Sequence, residues 1–299
     1  MKRVNVASLA GVLLFIGGNA FAQAEDPAAP PPDPNATPAV VAPAGGMMGW
    51  TDAVINRPLT MPKGKVGIYG DLDVLRISTS VTVGGMTTTA SATAEGLHAG
   101  FGYGIDDKLE IGAEYRFSLH DFEIKGPLTL YGAYSLYHQG KLTIGGSADL
   151  VVDLNGQGVD SMGMATSSTN LALEAGLGIR FMLTDKIAVY TGSPIAPGPL
   201  GQHLHIGLNN SGPVSIDIPV GLALQATPQL YAYVSTNIAH IKLANDSNAI
   251  IFADVIPLDI GALFAASHNL DVGLFLNLPD LKNAQFDVLV FGLQARYYM

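Results

Sequence analysis

The chain is defined first by what it lacks. Its 299 residues include no cysteine, which excludes disulfides, thiolate nucleophiles and cysteine-ligated zinc sites. Charged residues make up only 13% of the sequence, which is low for an ordinary enzyme. The formal net charge of −10 argues against nucleic acid as a partner, because phosphate binding requires a basic surface. Beyond the first twenty-odd residues there is no apolar run near the roughly 20 residues that a membrane helix needs.

The chain is nevertheless apolar on average, with a mean hydropathy of +0.31, and its apolar residues are dispersed in alternation. The segment Lys108–Leu119, KLEIGAEYRFSL, shows the pattern most clearly. Odd-numbered positions such as Ile111 and Phe117 are apolar, whereas even-numbered positions such as Glu110 and Glu114 are polar or glycine. A period of two predicts a β-strand with one apolar and one polar face. The pattern recurs along the chain, and very short connections alternate with longer ones between the predicted strands. This combination is typical of a transmembrane barrel.

The first 63 residues divide into three segments. Lys2 and Arg3, the apolar run Val4–Ile16 and the small residues at Ala20 and Ala22 predict a signal peptide over residues 1–22. Residues 23–49 are rich in alanine and proline, so we expect a disordered periplasmic leader. Residues 50–63 regain apolar character and carry the sole tryptophan, Trp50. They are interpreted as a segment at the periplasmic mouth or as a plug inside the barrel.

Residues 64–299 are predicted to form an all-β, antiparallel, up-and-down barrel of about twelve strands. Tight turns near residues 106, 139, 185, 228 and 268 follow the even-numbered strands, and longer loops follow the odd-numbered ones. Two of the predicted long loops are Ser80–Ser91 and Asn155–Ser168. Ser193–Gly201, SPIAPGPLG, interrupts the seventh strand, because proline cannot donate to a strand ladder, and predicts a bulge or an excursion into the lumen.

The chain from about Gly64 to Met299 resembles the Gram-negative outer-membrane β-barrel proteins. Its last segment, FDVLVFGLQARYYM, resembles their carboxy-terminal insertion signal, although it ends in Met299 where that signal usually ends in phenylalanine. The resemblance implies contact with outer-membrane lipid and recognition of this strand by the barrel-assembly machinery. An even strand count predicts that both termini are periplasmic. Aromatic residues near the periplasmic strand ends predict an aromatic girdle, formed by Tyr103, Phe181, Phe264 and Tyr297.

The polar face of each predicted strand should line the lumen, where carboxylates outnumber positive charges and favour cations. An alternative is that Glu110, Glu114, Glu174, Arg116 and Arg180 pair with one another and fill the interior. The residues predicted to set pore selectivity are Asp71, Asp73, Glu110, Glu114, Arg116, Asp149, Glu174, Arg180 and Arg296. Further predicted lining residues are Asp153, Asp217, Asp259, Asp271 and Lys108.

Catalytic and metal-binding alternatives have weak support in the sequence. His98 lies near Glu95 and His120 lies beside Asp121, but no serine stands at a recognisable catalytic spacing. His203 and His205 would share one face of a strand, yet two ligands without a third do not define a metal site. We therefore predict a protein that is not an enzyme and that has no cofactor and no bound metal.

The sequence thus predicts a porin-like passive channel in the bacterial outer membrane, with a narrow, weakly cation-preferring lumen for small polar solutes. The alternative is a closed barrel with a structural or adhesive role, acting through its surface loops or its periplasmic leader. An outer-membrane hydrolase is the third possibility.

Overall fold

The computed structural model describes residues 50–83, 86–119, 126–159, 165–193, 195–200, 204–209, 214–243, 250–252, 256–281 and 288–299. The predicted signal peptide and leader, residues 1–49, lie outside these ranges. In the described part of the chain, no helix is long and apolar enough to cross a membrane.

The described residues form fourteen strand segments and one short 3-10 helix, Val54–Asn56. The strands are β1 (Val66–Val83), β2 (Met86–Gly104), β3 (Leu109–Ser118), β4 (Leu128–Gln139), β5 (Leu142–Val159), β6 (Ala165–Met182), β7 (Ile187–Thr191), β8 (Leu204–Asn209), β9 (Ser215–Gln225), β10 (Leu230–Leu243), β11 (Ile250–Phe252), β12 (Leu258–Ser267), β13 (Leu270–Leu278) and β14 (Val288–Tyr298).

The sheet closes on itself, because β1 pairs with β2 on one side and with β14 on the other. Ile68 marks the seam, since it lies opposite Phe101 of β2 and opposite Tyr297 of β14. Every pairing is antiparallel, as expected for an up-and-down barrel. β7 and β8 share one place between β6 and β9, and β11 and β12 share one place beside β10. The barrel therefore has twelve strand places, which confirms the predicted count.

Two of the twelve places are interrupted. The break between β7 and β8 falls where the proline-rich stretch predicted it. The break between β11 and β12 lies next to Pro257, which directly precedes β12 and has no N–H to donate to a ladder. A bulge at residues 237–239 also reverses the side-chain alternation of β10, so no single apolar face runs the length of this strand.

The predicted loops Ser80–Ser91 and Asn155–Ser168 are wrong at most of their positions, because the flanking strands continue through them. β1 and β2 stay paired as far as Val83 opposite Met86, and β5 and β6 as far as Val159 opposite Ala165. Threonine and valine favour extended backbone, and a two-stranded ribbon needs no apolar face when water covers it. Strands of 18 or 19 residues are about 60 Å long, so both ribbons project beyond a membrane core of about 30 Å.

The two faces of the barrel wall differ sharply in chemistry. The outward face carries large apolar side chains that are 45% to 61% exposed in the free chain, among them Ile111, Phe291 and Leu274. Such a belt requires lipid around it, because water would leave it unfavourably hydrated. The four aromatic residues of the predicted girdle also point outward near the end of the barrel that carries the tight turns. Their role as an interfacial belt stays a prediction.

A charge placed on the outward face should be costly. Leu274 lies at the middle of β13 and is 61% exposed. Leu274→Arg should lower the free energy of unfolding from lipid vesicles by about 2–4 kcal/mol, because the guanidinium would enter hydrocarbon. Urea titration of the folded fraction measures this loss. Thr88→Arg, at an exposed position of the projecting part of β2, is the control and should change the stability by no more than about 0.5 kcal/mol. Equal effects at the two sites would contradict the lipid-facing assignment.

Candidate functional site in the barrel lumen

Residues 50–62, the N-terminal insert, lie inside the barrel at the end that carries the tight turns. Val54, Ile55 and Leu59 are each 1% exposed, and Met61 is fully buried. The backbone N–H of Ile55 donates to Gln225 Oε1 of β9 at 3.0 Å. The described contacts are made with residues of the lumen wall, and the role of this segment as a plug stays a prediction. The apolar side chains of the insert provide the packing, and the lumen wall supplies partners for its backbone.

Arg57 fixes the N-terminal insert through a buried ion pair. Its guanidinium bonds both oxygens of Asp271 on β13, with Nη2 3.0 Å from Oδ1, and its Nη1 lies 3.2 Å from the hydroxyl of Tyr298. The Arg57 and Asp271 side chains are 2% and 0% exposed. Trp50 stacks against Tyr298 with 4.4 Å between ring centroids, and the guanidinium lies 4.8 Å from the Trp50 ring. A bidentate pair that is covered by aromatic rings is rigid and shielded from water.

The chain between β7 and β8 forms a second insert, described at residues 192, 193 and 195–200. Ala196 and Leu200 are buried at 1% and 0% exposure. The Leu200 N–H donates to Ser147 Oγ at 3.2 Å, and its side chain fills the space that Gly145 leaves on the lumen wall. This strand-break insert therefore occupies the lumen beside the first one.

Glu110 of β3 holds both inserts together. Its Oε2 accepts the Met61 N–H at 2.8 Å, and its Oε1 accepts the Gly198 N–H at 3.2 Å and the Tyr131 hydroxyl at 2.7 Å. The side chain is fully buried. Gly102 makes this junction possible, because a Cβ there would lie 2.4 Å from the Glu110 carboxylate. Glu110 thus binds both inserts through its two carboxylate oxygens, and its role in pore selectivity stays a prediction.

A polar network lines the wall on β1, β2 and β3. His98 Nδ1 lies 3.0 Å from Asp71 Oδ2, and its Nε2 lies 3.4 Å from Glu114 Oε2. The Tyr69 hydroxyl donates to the same Glu114 oxygen at 2.9 Å. One step away, Arg116 forms an ion pair with the buried Asp73. Four of the predicted selectivity residues are therefore brought together here, each with a partner.

Three histidines of the lumen wall pair with carboxylates directly opposite them, which the sequence reasoning missed. His98 faces Asp71, His205 faces Glu174, and His240 faces Asp217, always on the neighbouring strand. The members of each pair are 27, 31 and 23 residues apart in the chain. Only a known strand register could have revealed these pairs, because cross-strand neighbours depend on the position of the turns.

Two of the predicted arginines bind the backbone of the inserts. Arg180 is buried and donates to the Arg57 carbonyl oxygen at 2.6 Å, and Arg296 donates to the Pro197 carbonyl oxygen at 3.0 Å. The alternative of a mutual network among Glu110, Glu114, Glu174, Arg116 and Arg180 is not found in the described contacts. The placement of Lys108 in the lumen is wrong, because this residue lies in the exposed turn that precedes β3, where the alternation has not yet begun.

A cavity of about 220 Å³ remains between the strand-break insert and the opposite wall. The ring of Tyr190 and the backbone around Ser193 line one side. Tyr233, Asp259 and Arg296 are among the residues that line the other. Aromatic faces beside a carboxylate and a guanidinium make a chamber suited to a small polar molecule.

Among the described residues, the side chains considered for catalysis are not arranged together. His98 and Glu95 are three residues apart on β2, so they point to opposite faces of the sheet. His120, Asp121 and His203 lie outside the described residues. Within the described ranges no group of three histidine, aspartate or glutamate side chains is placed to hold a metal ion.

Solved structures of outer-membrane channels resemble this barrel. The COG4313 outer membrane channel from Pseudomonas putida F1 is 13% identical with a TM-score of 0.52, and the match covers 80% of this chain and 97% of that chain. The KdgM porin is 8% identical, with a TM-score of 0.45 and coverage of 76% and 98%. The deltaS2S3 mutant of the TodX monoaromatic hydrocarbon channel is 12% identical, with a TM-score of 0.44 and coverage of 80% and 91%. No protein-family model and no curated protein matches the chain. The fold is that of an outer-membrane β-barrel.

The ion pair predicts how the N-terminal insert can be released. Arg57→Ala leaves Asp271 buried without its counter-charge, and the loss of one partner of a buried pair costs about 3–5 kcal/mol. The insert should then leave the lumen, and the fluorescence of Trp50, the sole tryptophan, should shift to the red and become accessible to acrylamide. Lys63→Ala, at an exposed position just after the insert, is the control and should leave Trp50 shielded. A Trp50 that stays shielded in Arg57→Ala would show that apolar packing alone holds the insert.

Proposed function

We propose that the protein is a passive channel of the bacterial outer membrane for small polar solutes, narrowed at one end by its own two inserts. The observation that carries this proposal is the charged and polar lining of the lumen, with a chamber left beside the strand-break insert. The tight turns and the start of β1 share one end of the barrel, so this end and both termini are assigned to the periplasm. The outer-membrane fold supports this location.

The way the inserts are held supports a channel that can open. Glu110, Arg180 and Gln225 bind the backbone of the inserts, and Arg57 binds through its ion pair. If the insert withdrew, water would replace it as the hydrogen-bond partner of each of these groups. Displacement therefore leaves no buried polar atom of this set without a partner. A lumen filled permanently by apolar side chains would lack this property.

The charge of the lumen supports a weak preference for cations. Outside the region that the inserts seal, the wall carries more carboxylates than guanidinium groups. Arg116 and Arg296 face Asp71, Asp73, Glu114, Asp149, Glu174, Asp217 and Asp259. Three of these carboxylates are already engaged with histidines, so the preference should be small.

A closed structural or adhesive barrel is the second candidate, and two observations favour it. The inserts fill the turn end of the lumen, and the β1–β2 and β5–β6 ribbons project beyond the membrane on the opposite side. The enzymatic alternative has no such support, and we propose a role without catalysis. The assembly machinery should recognise β14, whose Phe291, Leu293 and Tyr297 face outward.

Conductance separates the two candidates. In planar bilayers the full chain should give small current steps in potassium chloride, and a variant that lacks residues 50–62 should give larger ones, because a wider lumen carries more ions. Heat-modifiable migration in gels confirms that both proteins are folded. The Lys63→Ala variant should match the full chain. If both folded proteins pass no current, the structural role is favoured and the channel is rejected.

The reversal potential in a salt gradient tests the charge argument. The full chain should be more permeable to potassium than to chloride, and Asp259→Asn should reduce that ratio, because Asp259 lines the chamber. Asp185→Asn removes the same charge from an exposed turn outside the lumen and should leave the ratio unchanged. A channel that prefers chloride would refute the cation preference while leaving the channel itself established.

A further inference from the structure

One row of lumen-facing side chains has fewer hydrogen-bond donors around it than its carboxylate oxygens require. Asp149 of β5 lies directly opposite Glu174 of β6, and Glu174 lies directly opposite His205 of β8. On the other side of Asp149 stands Tyr131 of β4, whose hydroxyl donates to Glu110 Oε1 at 2.7 Å and lies 3.3 Å from the Phe101 carbonyl oxygen. Two carboxylates therefore occupy neighbouring positions on one face of the wall.

Three carboxylate oxygens of this pair have no hydrogen bond of normal length and angle among the described residues, although the Ser147 hydroxyl is close enough to interact with Asp149. They are both oxygens of Asp149 and Oε2 of Glu174. The Asp149 side chain is 2% exposed and the Glu174 side chain is 9% exposed, so bulk water does not satisfy them. Glu174 Oε1 is engaged with His205 Nδ1 at 2.9 Å. Buried acceptors without donors are costly, and such positions mark the place of a missing donor.

The row brings two carboxylates together without a guanidinium or ammonium partner among the described residues. Like charges directly opposite each other on adjacent strands destabilise a sheet. His205 engages only Oε1 of Glu174, and no described guanidinium or ammonium group bonds Asp149. A cation that settles between the two carboxylates would reduce the repulsion and supply donors to the unsatisfied acceptors.

We propose that Asp149 and Glu174 bind the primary ammonium group of a cationic solute. An ammonium group has three N–H donors, which matches these three carboxylate oxygens. A metal ion fits less well, because the described residues offer no group of three ligands suited to one. Ala172 and Gly176, on the same face of β6 as Glu174, carry little or no side chain. The site rests on the proposed function, because the solute reaches it through the lumen, and it makes primary amines a substrate class.

Saturation-transfer NMR on the full chain in detergent micelles tests the site without any need for conduction. Methylammonium should give a saturable signal, whereas tetramethylammonium, with the same charge and no N–H, should give none. Asp149→Asn and Glu174→Gln should each weaken the binding of methylammonium by about tenfold or more, because each removes charge-assisted hydrogen bonds. Asp217→Asn removes a lumen carboxylate that already has partners in His240 and Asn237, and should change the binding by less than about twofold.

Equal methylammonium signals from the wild-type chain and the Asp149→Asn variant would overturn the site, as would equal binding of tetramethylammonium. Trp50 fluorescence shows whether each variant keeps its insert and fold. A protein that binds methylammonium but passes no current in bilayers would refute the channel and retain the site. A protein that conducts but does not bind methylammonium would retain the channel and refute the site.

Discussion

The closure of twelve strands into a ring is the constraint on which the other features depend. A ring of this size leaves an interior too wide for the side chains of its own wall to fill. The outward face must be apolar to meet lipid, so the inward face carries the polar residues, and their hydrogen bonds must be satisfied in a confined space. The interior therefore needs material that is itself rich in donors and acceptors. Two irregular stretches of backbone supply it.

The N-terminal insert and the strand-break insert come from different parts of the chain but bind the lumen wall in the same way. Each presents backbone N–H and C=O groups that would be unsatisfied in lipid, and each finds partners on the lumen wall. Glu110 accepts one N–H from each insert, so a single carboxylate couples a segment before β1 to a segment between β7 and β8. Loss of this carboxylate would therefore remove an acceptor from both inserts at once.

The polar groups of the wall divide into those that hold the inserts and those that face the remaining lumen. Arg57, Asp271, Arg180 and Glu110 belong to the first set, and they are all deeply buried. The histidine–carboxylate pairs, Arg116 and Asp259 belong to the second set. Asp149 and Glu174 are buried like the first set, and together they have three oxygens without a hydrogen bond of normal length and angle among the described residues. The proposed selectivity therefore depends on fewer residues than the count of inward charges indicates.

The sequence by itself determined the barrel, because a period of two survives in any strand whose two faces meet lipid and a polar lumen. It also determined the outward face of β14 and the break at the proline-rich stretch, since both follow from local covalent chemistry. Tertiary structure decided the length of the β1–β2 and β5–β6 ribbons, because the two strands of each ribbon stay paired beyond the residues where apolar and polar side chains alternate. It alone decided the partners of Glu110, the ion pair of Arg57 with Asp271, and the Asp149–Glu174 row. These contacts join residues brought together by strand register and by two inserts with no periodic pattern, so neither alternation nor spacing carried a signal for them.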